Sequence, residues 1–273
     1  MPEMDDREKQ HLEDLERIKN FRLLDDDFLT KCLEDNVDGM KLMLDIILPV
    51  KLSVQRVTTQ STIKNLQGRS LRLDVVALDE KSKHKVNVEV QRDSRGAGAK
   101  RARYHGSILD ANSVFAGEDF EDLPEIFVVF ITEKDVLHRN KPIYRIDRYY
   151  MDEGGPVLFD DKLHIVYVNS EVEDNTPLGL LMHDFRCTNP DDMHYKILAD
   201  RVRYFKQDEK GVATMCKAME DMRKEAAQAA ALMERKRMAI RMLEDGELTD
   251  EKIALYAGLT LDQVKELAQE KSA

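Results

Sequence analysis

Two short segments constrain this chain most. Residues 70–78, SLRLDVVAL, place Leu71, Leu73 and Val75 at every second position, and residues 85–91, KVNVEVQ, do the same with Val86, Val88 and Val90. A period of two is that of a β-strand. The polar run DEKSKH between them is short enough to close an antiparallel hairpin. The second strand then carries Asn87, Glu89 and Gln91 on the face opposite its valines, and the first carries Asp74 within an otherwise apolar Leu-x-Asp-Val-Val stretch. Directly opposed residues of an antiparallel pair have Cβ atoms about 5 Å apart, so a short hairpin brings Asp74 and Glu89 together.

Two carboxylates at that range raise each other's pKa unless a cation lies between them. Carboxylate and carbonyl oxygens suit Mg²⁺ or Mn²⁺, with the Val90 backbone carbonyl a natural extra ligand. An ion so held activates water and neutralises charge on a scissile phosphate. The alternative is that Asp74 is satisfied by the turn while Glu89 and Gln91 face solvent. Against it stand the cost of an unpaired charge in an apolar strand, several kcal/mol, and the basic segment that begins directly after Gln91.

That segment, residues 92–105, holds Arg92, Arg95, Lys100, Arg101 and Arg103 against one acid, Asp93, whereas residues 1–36 hold twelve acids against six Lys and Arg. The formal net charge of −11 argues against a generally basic nucleic-acid coat, but the segregation leaves room for a local basic groove. Residues 97–116 read as a helix starting after Gly96 and Gly98. On it Arg101 and His105 share one face, as do Lys100, Arg103 and Tyr104. Arg92, Arg95, Lys100, Arg101 and Arg103 are the candidate contacts to DNA phosphate, and Tyr104 or His105 to sugar or phosphate. A solvated charged face is the competing reading.

Around this unit, residues 1–24 read as an acidic tail or helix, 25–49 as one or two helices stopped by Pro49, and 54–62 as a β-branched strand, with Gly68 as punctuation. EIFVVFIT at 125–132 is apolar throughout, as in a central strand covered on both faces. Strand-like stretches follow at 143–150 and 163–169, then helices at 177–185 and 191–206. After Gly211 the pattern changes. Residues 212–245 form a long helix with a Met-rich stripe, and two short helices flank Gly258, with Thr249 and Thr260 as N-caps and Thr260–Gln263 as a capping box. The second short helix offers a poor set of base-reading side chains, so a packing or homo-oligomerisation role is expected for this extension.

Other chemistries find little footing. Cys32, Cys187 and Cys216 form no Cys-x-x-Cys pair, and the seven histidines show no metal spacing, so neither a disulfide framework nor a zinc site is expected. Gly96-Ala97-Gly98-Ala99 lacks the Lys-Ser/Thr of a nucleotide loop. No apolar run is long enough for a membrane span and the acidic N-terminus has no apolar leader, so a cytoplasmic protein is expected.

The ordered series Arg72-Leu73-Asp74-Val75-Val76, charged turn, Asn87-Val88-Glu89-Val90-Gln91, Lys100-Arg101-Ala102-Arg103-Tyr104-His105, the strand Leu123–Ile131 and the Ile143-Tyr144 segment resembles the PD-(D/E)XK nuclease superfamily. It is most similar to the transposase-associated branch that includes recombination-promoting nucleases, over roughly residues 25–210. The resemblance implies an α/β, restriction-endonuclease-like fold: a mixed β-sheet core flanked by helices, here with an α-helical extension at 211–273. It implies metal-dependent DNA cleavage, Asp74 and Glu89 as metal ligands, and Gln91 where other members carry a catalytic Lys. Gln supplies neither positive charge nor an acidic proton, but it can orient water or a phosphate oxygen. Some members add an acid from the first helix, for which Asp27, Glu34 and Asp35 are the candidates. A nuclease fold retained for DNA binding or assembly, without strong catalysis, is the alternative function.

Overall fold

A computed structural model describes residues 5–63, 71–79, 84–92, 94–114 and 117–272. Of the expected DEKSKH turn, Asp79 and His84 belong to the flanking strands and pair with each other, while 80–83 lie outside these residues, as does the Gly68 punctuation. Two units emerge, Met1–Val212 and Ala213–Ala273.

The first unit is mixed α/β. Three helices lead: α1 (Asp6–Asn20), α2 (Asp26–Leu33) and α3 (Val37–Ile47). The acidic N-terminal stretch is thus a formed helix, closed by a capping box in which Asp5 accepts from the Glu8 amide and Glu8 accepts from the Asp5 amide; its Ile18 is buried. Residues 25–49 make two helices because Asn36 caps the second, accepting from the Gly39 amide.

The strands β1 (Arg56–Ile63), β2 (Leu71–Asp79), β3 (His84–Gln91), β4 (Glu125–Thr132) and β8 (Leu163–Asn169) build, with β5 (Ile143–Ile146), a six-stranded sheet of order β1-β2-β3-β4-β8-β5. The β1, β2 and β3 run is antiparallel, β3-β4 and β4-β8 are parallel, and β5 returns antiparallel to β8. Parallel neighbours need a crossover. Helix α4 (Ala99–Ala111), entered through a 3-10 turn at Ser94–Ala97, supplies the one between β3 and β4. From Ile126 onward β4 is buried at every position, as its unbroken apolar run requires. Tyr167 of β8 donates its hydroxyl to the Ala97 carbonyl at 2.8 Å and so fixes where α4 begins.

Residues 143–150, read from sequence as one strand, divide between two sheets. Ile143–Ile146 pairs with β8, whereas β6 (Tyr149–Asp152) pairs with β7 (Gly155–Leu158) in a separate ribbon. Gly155 takes φ 111° at that tight reversal, a value open to glycine. Helices α5 (Pro177–Arg186) and α6 (Lys196–Gln207) follow, with a 3-10 turn at Pro190–Asp192 between them.

Helix α7 (Glu209–Asp245) starts before Gly211 rather than after it. A Cβ at Gly211 would stand 2.0 Å from the Tyr204 carbonyl oxygen, so the glycine serves close backbone approach and not helix termination. In the second unit α8 (Asp250–Ala257) ends on Gly258, left-handed at φ 64°. Helix α9 (Leu261–Ser272) opens on the expected capping box, Gln263 amide to Thr260 Oγ1 at 3.2 Å and Thr260 amide to Gln263 Oε1 at 3.0 Å. Ala239, Ile253, Ala257, Val264 and Leu267 form a small core of its own. Among the described residues no helix is long and apolar enough to cross a membrane.

Candidate active site

The β2–β3 ladder pairs Val75 with Val88 and continues to Asp79–His84. One step past Val75–Val88, where Asp74 faces Glu89, the main-chain partners change. The Asp74 amide donates to Glu89 Oε1 at 3.2 Å, and the Val90 amide donates to Asp74 Oδ2 at 3.3 Å. Carboxylates thus replace carbonyls as acceptors where the strands part, which fixes both side chains at one spot. The two side chains are thereby held close enough for the charge of Glu89 to act on Asp74.

Burial of the pair has an electrostatic consequence. Asp74 is pushed up to about 9, first by burial, then by the charge of Glu89 and then by that of Asp26. Glu89, with no exposed surface, is also raised by burial. Opposing that rise are the Asn87 carboxamide, which donates to Glu89 Oε1 at 3.1 Å, and Arg101, whose guanidinium lies 3.7 Å from Glu89 Oε2. Among the described residues no hydrogen-bond partner meets Glu89 Oε2 or Asn87 Oδ1, although both atoms are buried. Buried polar atoms without partners are uncommon. An oxygen donor left open beside a second carboxyl fits a hard divalent cation, so these residues suit the Mg²⁺ or Mn²⁺ expected from sequence.

Helix α4 lies over this face of the sheet. Its inner positions Ala102, His105, Gly106, Ile108 and Leu109 are buried. The fully buried His105 packs 5.5 Å from the Phe130 ring of β4, its Nδ1 lies 3.1 Å from Asn87 Nδ2 and 3.6 Å from Glu89 Oε1, and its Nε2 accepts from Arg101 Nε at 3.3 Å. Burial first, then the neighbouring Arg101 charge, lowers its pKa to about 4. At neutral pH the ring is therefore an uncharged spacer that holds Asn87, Glu89 and Arg101 in register, not a proton donor.

The residues singled out from sequence divide in the structure. Asp74 and Glu89 meet. Val90 touches the pair through its amide. Gln91 is half-buried on the same strand face, and its Oε1 covers Gly96 so closely that a Cβ there would stand 1.9 Å away. Arg101, Lys100 and Arg103 are all exposed, but the Arg101 guanidinium reaches toward Glu89; Tyr104 is half-buried. The charge of Arg92 is engaged by Asp25 at 3.0 Å and Glu133 at 3.1 Å; Glu133 also binds Arg22 at 2.9 Å. Arg92 therefore ties the end of β3 to the start of α2. The side chain of Arg95 lies outside the described residues.

Three contributors escaped the sequence reading. Asn87 and His105 were legible only as a strand-face polar residue and a possible DNA contact. Among the acids in and beside α2 it is Asp26, not Asp27, Glu34 or Asp35, whose charge acts on Asp74. Glu34 instead pairs with Lys31 at 2.9 Å, and Asp35 takes φ 55° in the turn after α2. The signal was the Asp25-Asp26-Asp27 run at a helix start, where acids are favoured by the helix dipole and carry no mark of which one looks inward.

Comparison with protein-family models, with curated proteins and with solved structures finds no match to this chain.

Proposed function

We propose that this chain is a divalent-metal-dependent endonuclease that hydrolyses phosphodiester bonds in DNA, with Asp74 and Glu89 holding Mg²⁺ or Mn²⁺. The observation that carries the reading is the carboxyl pair at the parting of β2 and β3, half-buried Asp74 beside fully buried Glu89, with Glu89 Oε2 left open toward Arg101. The strand order, three antiparallel strands leading into a parallel β3-β4-β8 run with α4 as crossover, supports the finer assignment to a restriction-endonuclease-like fold.

Asp74, once deprotonated, and Glu89 would hold the metal ion, which would supply water activation and charge neutralisation at the phosphate. The chain's own residues do the rest. Asp26 adds negative charge on the side of α2. Arg101 supplies the fixed positive charge that Gln91 lacks, aimed at a phosphate oxygen from the α4 side. Gln91 is left to orient water or phosphate through its amide. Lys100 and Arg103, exposed on α4, offer sequence-independent contacts to neighbouring phosphates.

Plasmid nicking in Mg²⁺ or Mn²⁺ tests this, with the native chain beside Asp74→Ala and Glu89→Ala. Nicking that both substitutions abolish is expected; equal nicking by all three proteins would rule the site out. A second reading, a nuclease fold kept for DNA binding alone, draws on Gln91 in the Lys position. Its mark is metal-independent DNA retention by the native chain with no nicking in either metal.

A further inference from the structure

A second group of metal-type donors forms at the C-terminal end of α5 and shares no residue with the acid pair. The donor atoms of His183, Asp184 and His194 all lie within 4.8 Å of one another. Sequence spacing hides this, because His194 stands beyond a 3-10 turn and is brought back by the fold. Asp184, with no exposed surface, accepts the His194 amide at 2.7 Å through Oδ1 and the Tyr195 amide at 2.8 Å through Oδ2. The rings of His183 and His194 then stand side by side, centroids 4.7 Å apart at 54°. His183 Nδ1 is 3.6 Å from Asp184 Oδ1. Cys187, the C-cap of α5, flanks the group with its Sγ 3.5 Å from His183 Nδ1 and 3.8 Å from Nε2.

We infer that His183, Asp184 and His194, with Cys187 as the fourth ligand, bind one Zn²⁺-class ion that pins the α5–α6 connection. The donor set decides the metal. Two imidazoles, a carboxylate and a thiol suit a borderline-soft transition ion and not Mg²⁺ or Ca²⁺. Ligand bonds of about 2.0–2.3 Å need the donors closer together than they stand. Asp184 is fixed by its two backbone amides, the hydrogen-bonded state usual for a ligating carboxylate. His183 and Cys187 are half-buried and His194 is exposed, so rotation of these three side chains closes the set. The four residues bracket the connection, Cys187 at its start and His194 near its end. The ion therefore acts as a clamp with no open position for substrate, which makes it structural and not catalytic.

The test uses the full chain, stripped with a chelator and titrated with Zn²⁺ by calorimetry and with Co²⁺ by electronic spectroscopy. It is run in parallel on the Asp74→Asn/Glu89→Gln variant, so that uptake at the acid pair is scored separately. One equivalent of Zn²⁺ bound by the Asp74→Asn/Glu89→Gln variant, with a rise in thermal midpoint, is expected, and any further uptake by the native chain is scored to the acid pair. His194→Ala should weaken the one-equivalent binding by at least about 10–100-fold, the loss seen even for outer partners of a metal site. Because His194 is exposed, this variant should keep the native far-ultraviolet dichroism. A thiolate-to-Co²⁺ charge-transfer band is expected that Cys187→Ser removes. No uptake by the native chain, or native affinity retained in His183→Ala and His194→Ala, overturns the site; a band that survives Cys187→Ser overturns the fourth ligand. Absence of nicking would leave this inference untouched, and absence of Zn²⁺ uptake would leave the nuclease reading untouched.

Discussion

Replacing Asp74 with Asn should flatten the pH dependence of stability in the metal-free protein, and the size of the effect follows from the geometry. Asp74 is raised from 3.8 to about 9 by burial, by Glu89 and by Asp26. Its folded pKa is above its unfolded one, so its contribution is fully present below about pH 4 and is lost as pH rises through about 9. Between those limits the folded chain holds one more proton than the unfolded chain. The free energy of unfolding therefore falls by about 1.4 kcal/mol per pH unit from this group. From about pH 5.5 to about pH 8.5 that amounts to roughly 4 kcal/mol, a large part of the 5–15 kcal/mol that holds a typical domain together. An Asn side chain mimics the protonated acid: it accepts from the Val90 amide and donates to Glu89, with nothing to ionise. Urea unfolding followed by circular dichroism over that pH range, in chelator, should give a native curve steeper than the Asp74→Asn curve by about one proton's worth. Glu89 and all other groups are common to both proteins and largely cancel. Saturating Mg²⁺ should remove the difference in slope, because ion binding would favour the deprotonated carboxyls. Parallel slopes in chelator would refute the raised Asp74 beside Glu89 and with it the argument for a cation there.

Two further outcomes separate the roles of Arg101 and Gln91. Arg101→Ala should lower the nicking rate by about 10²–10³-fold, the usual cost of removing one group that stabilises transition-state charge. Its effect on DNA retention at the same salt should be small, since Lys100 and Arg103 remain on the helix; an equal loss in both assays would reassign Arg101 to simple phosphate binding. Gly96→Ala should displace the Gln91 carboxamide, because the new Cβ meets Oε1, the movable end of a flexible side chain. Thermal denaturation should change little while the nicking rate falls as far as in Gln91→Ala; full activity in both variants would leave Gln91 no part in the chemistry.

How much of this was readable in the chain depends on the range of the forces involved. Strands β2, β3 and β4 were legible because alternation and unbroken apolar runs are local signals, and α4 because Gly96 and Gly98 precede a helical pattern. Asp74 opposite Glu89 was legible for the same reason, since a short hairpin leaves few registers open. The return of β5 to β8, and the transfer of Tyr149–Asp152 to a second sheet, are long-range pairings that no periodicity in IYRIDRYY marks. Asp26 was missed because selecting one acid of three requires knowing where the end of α2 meets β2 and β3. His105 was read as a DNA contact because its basic neighbours are exposed, although its own position turns inward to Phe130 and Asn87.

The Gln at position 91 is the departure from the resemblance that bears most on catalysis, and the packing around it narrows what it can mean. A Lys there would have to place its ammonium where the Gln91 carboxamide now covers Gly96, beside a 3-10 turn whose end is held to β8 by Tyr167. The positive charge of the site comes instead from α4, where Arg101 is braced by the uncharged His105 and reaches Glu89. A guanidinium has advantages in that position. It stays charged beside the buried His105, and it can hold the Glu89 carboxylate while its own outer face remains exposed. Its planar fork can also serve His105 and a phosphate oxygen at once. Exchanging the two functions, with Gln91→Lys in an Arg101→Ala background, asks whether charge or its origin matters. Recovery of nicking would mean that a cation anywhere above the acid pair suffices. No recovery, with the fold intact, is the outcome expected if Arg101 works by the direction from which it approaches.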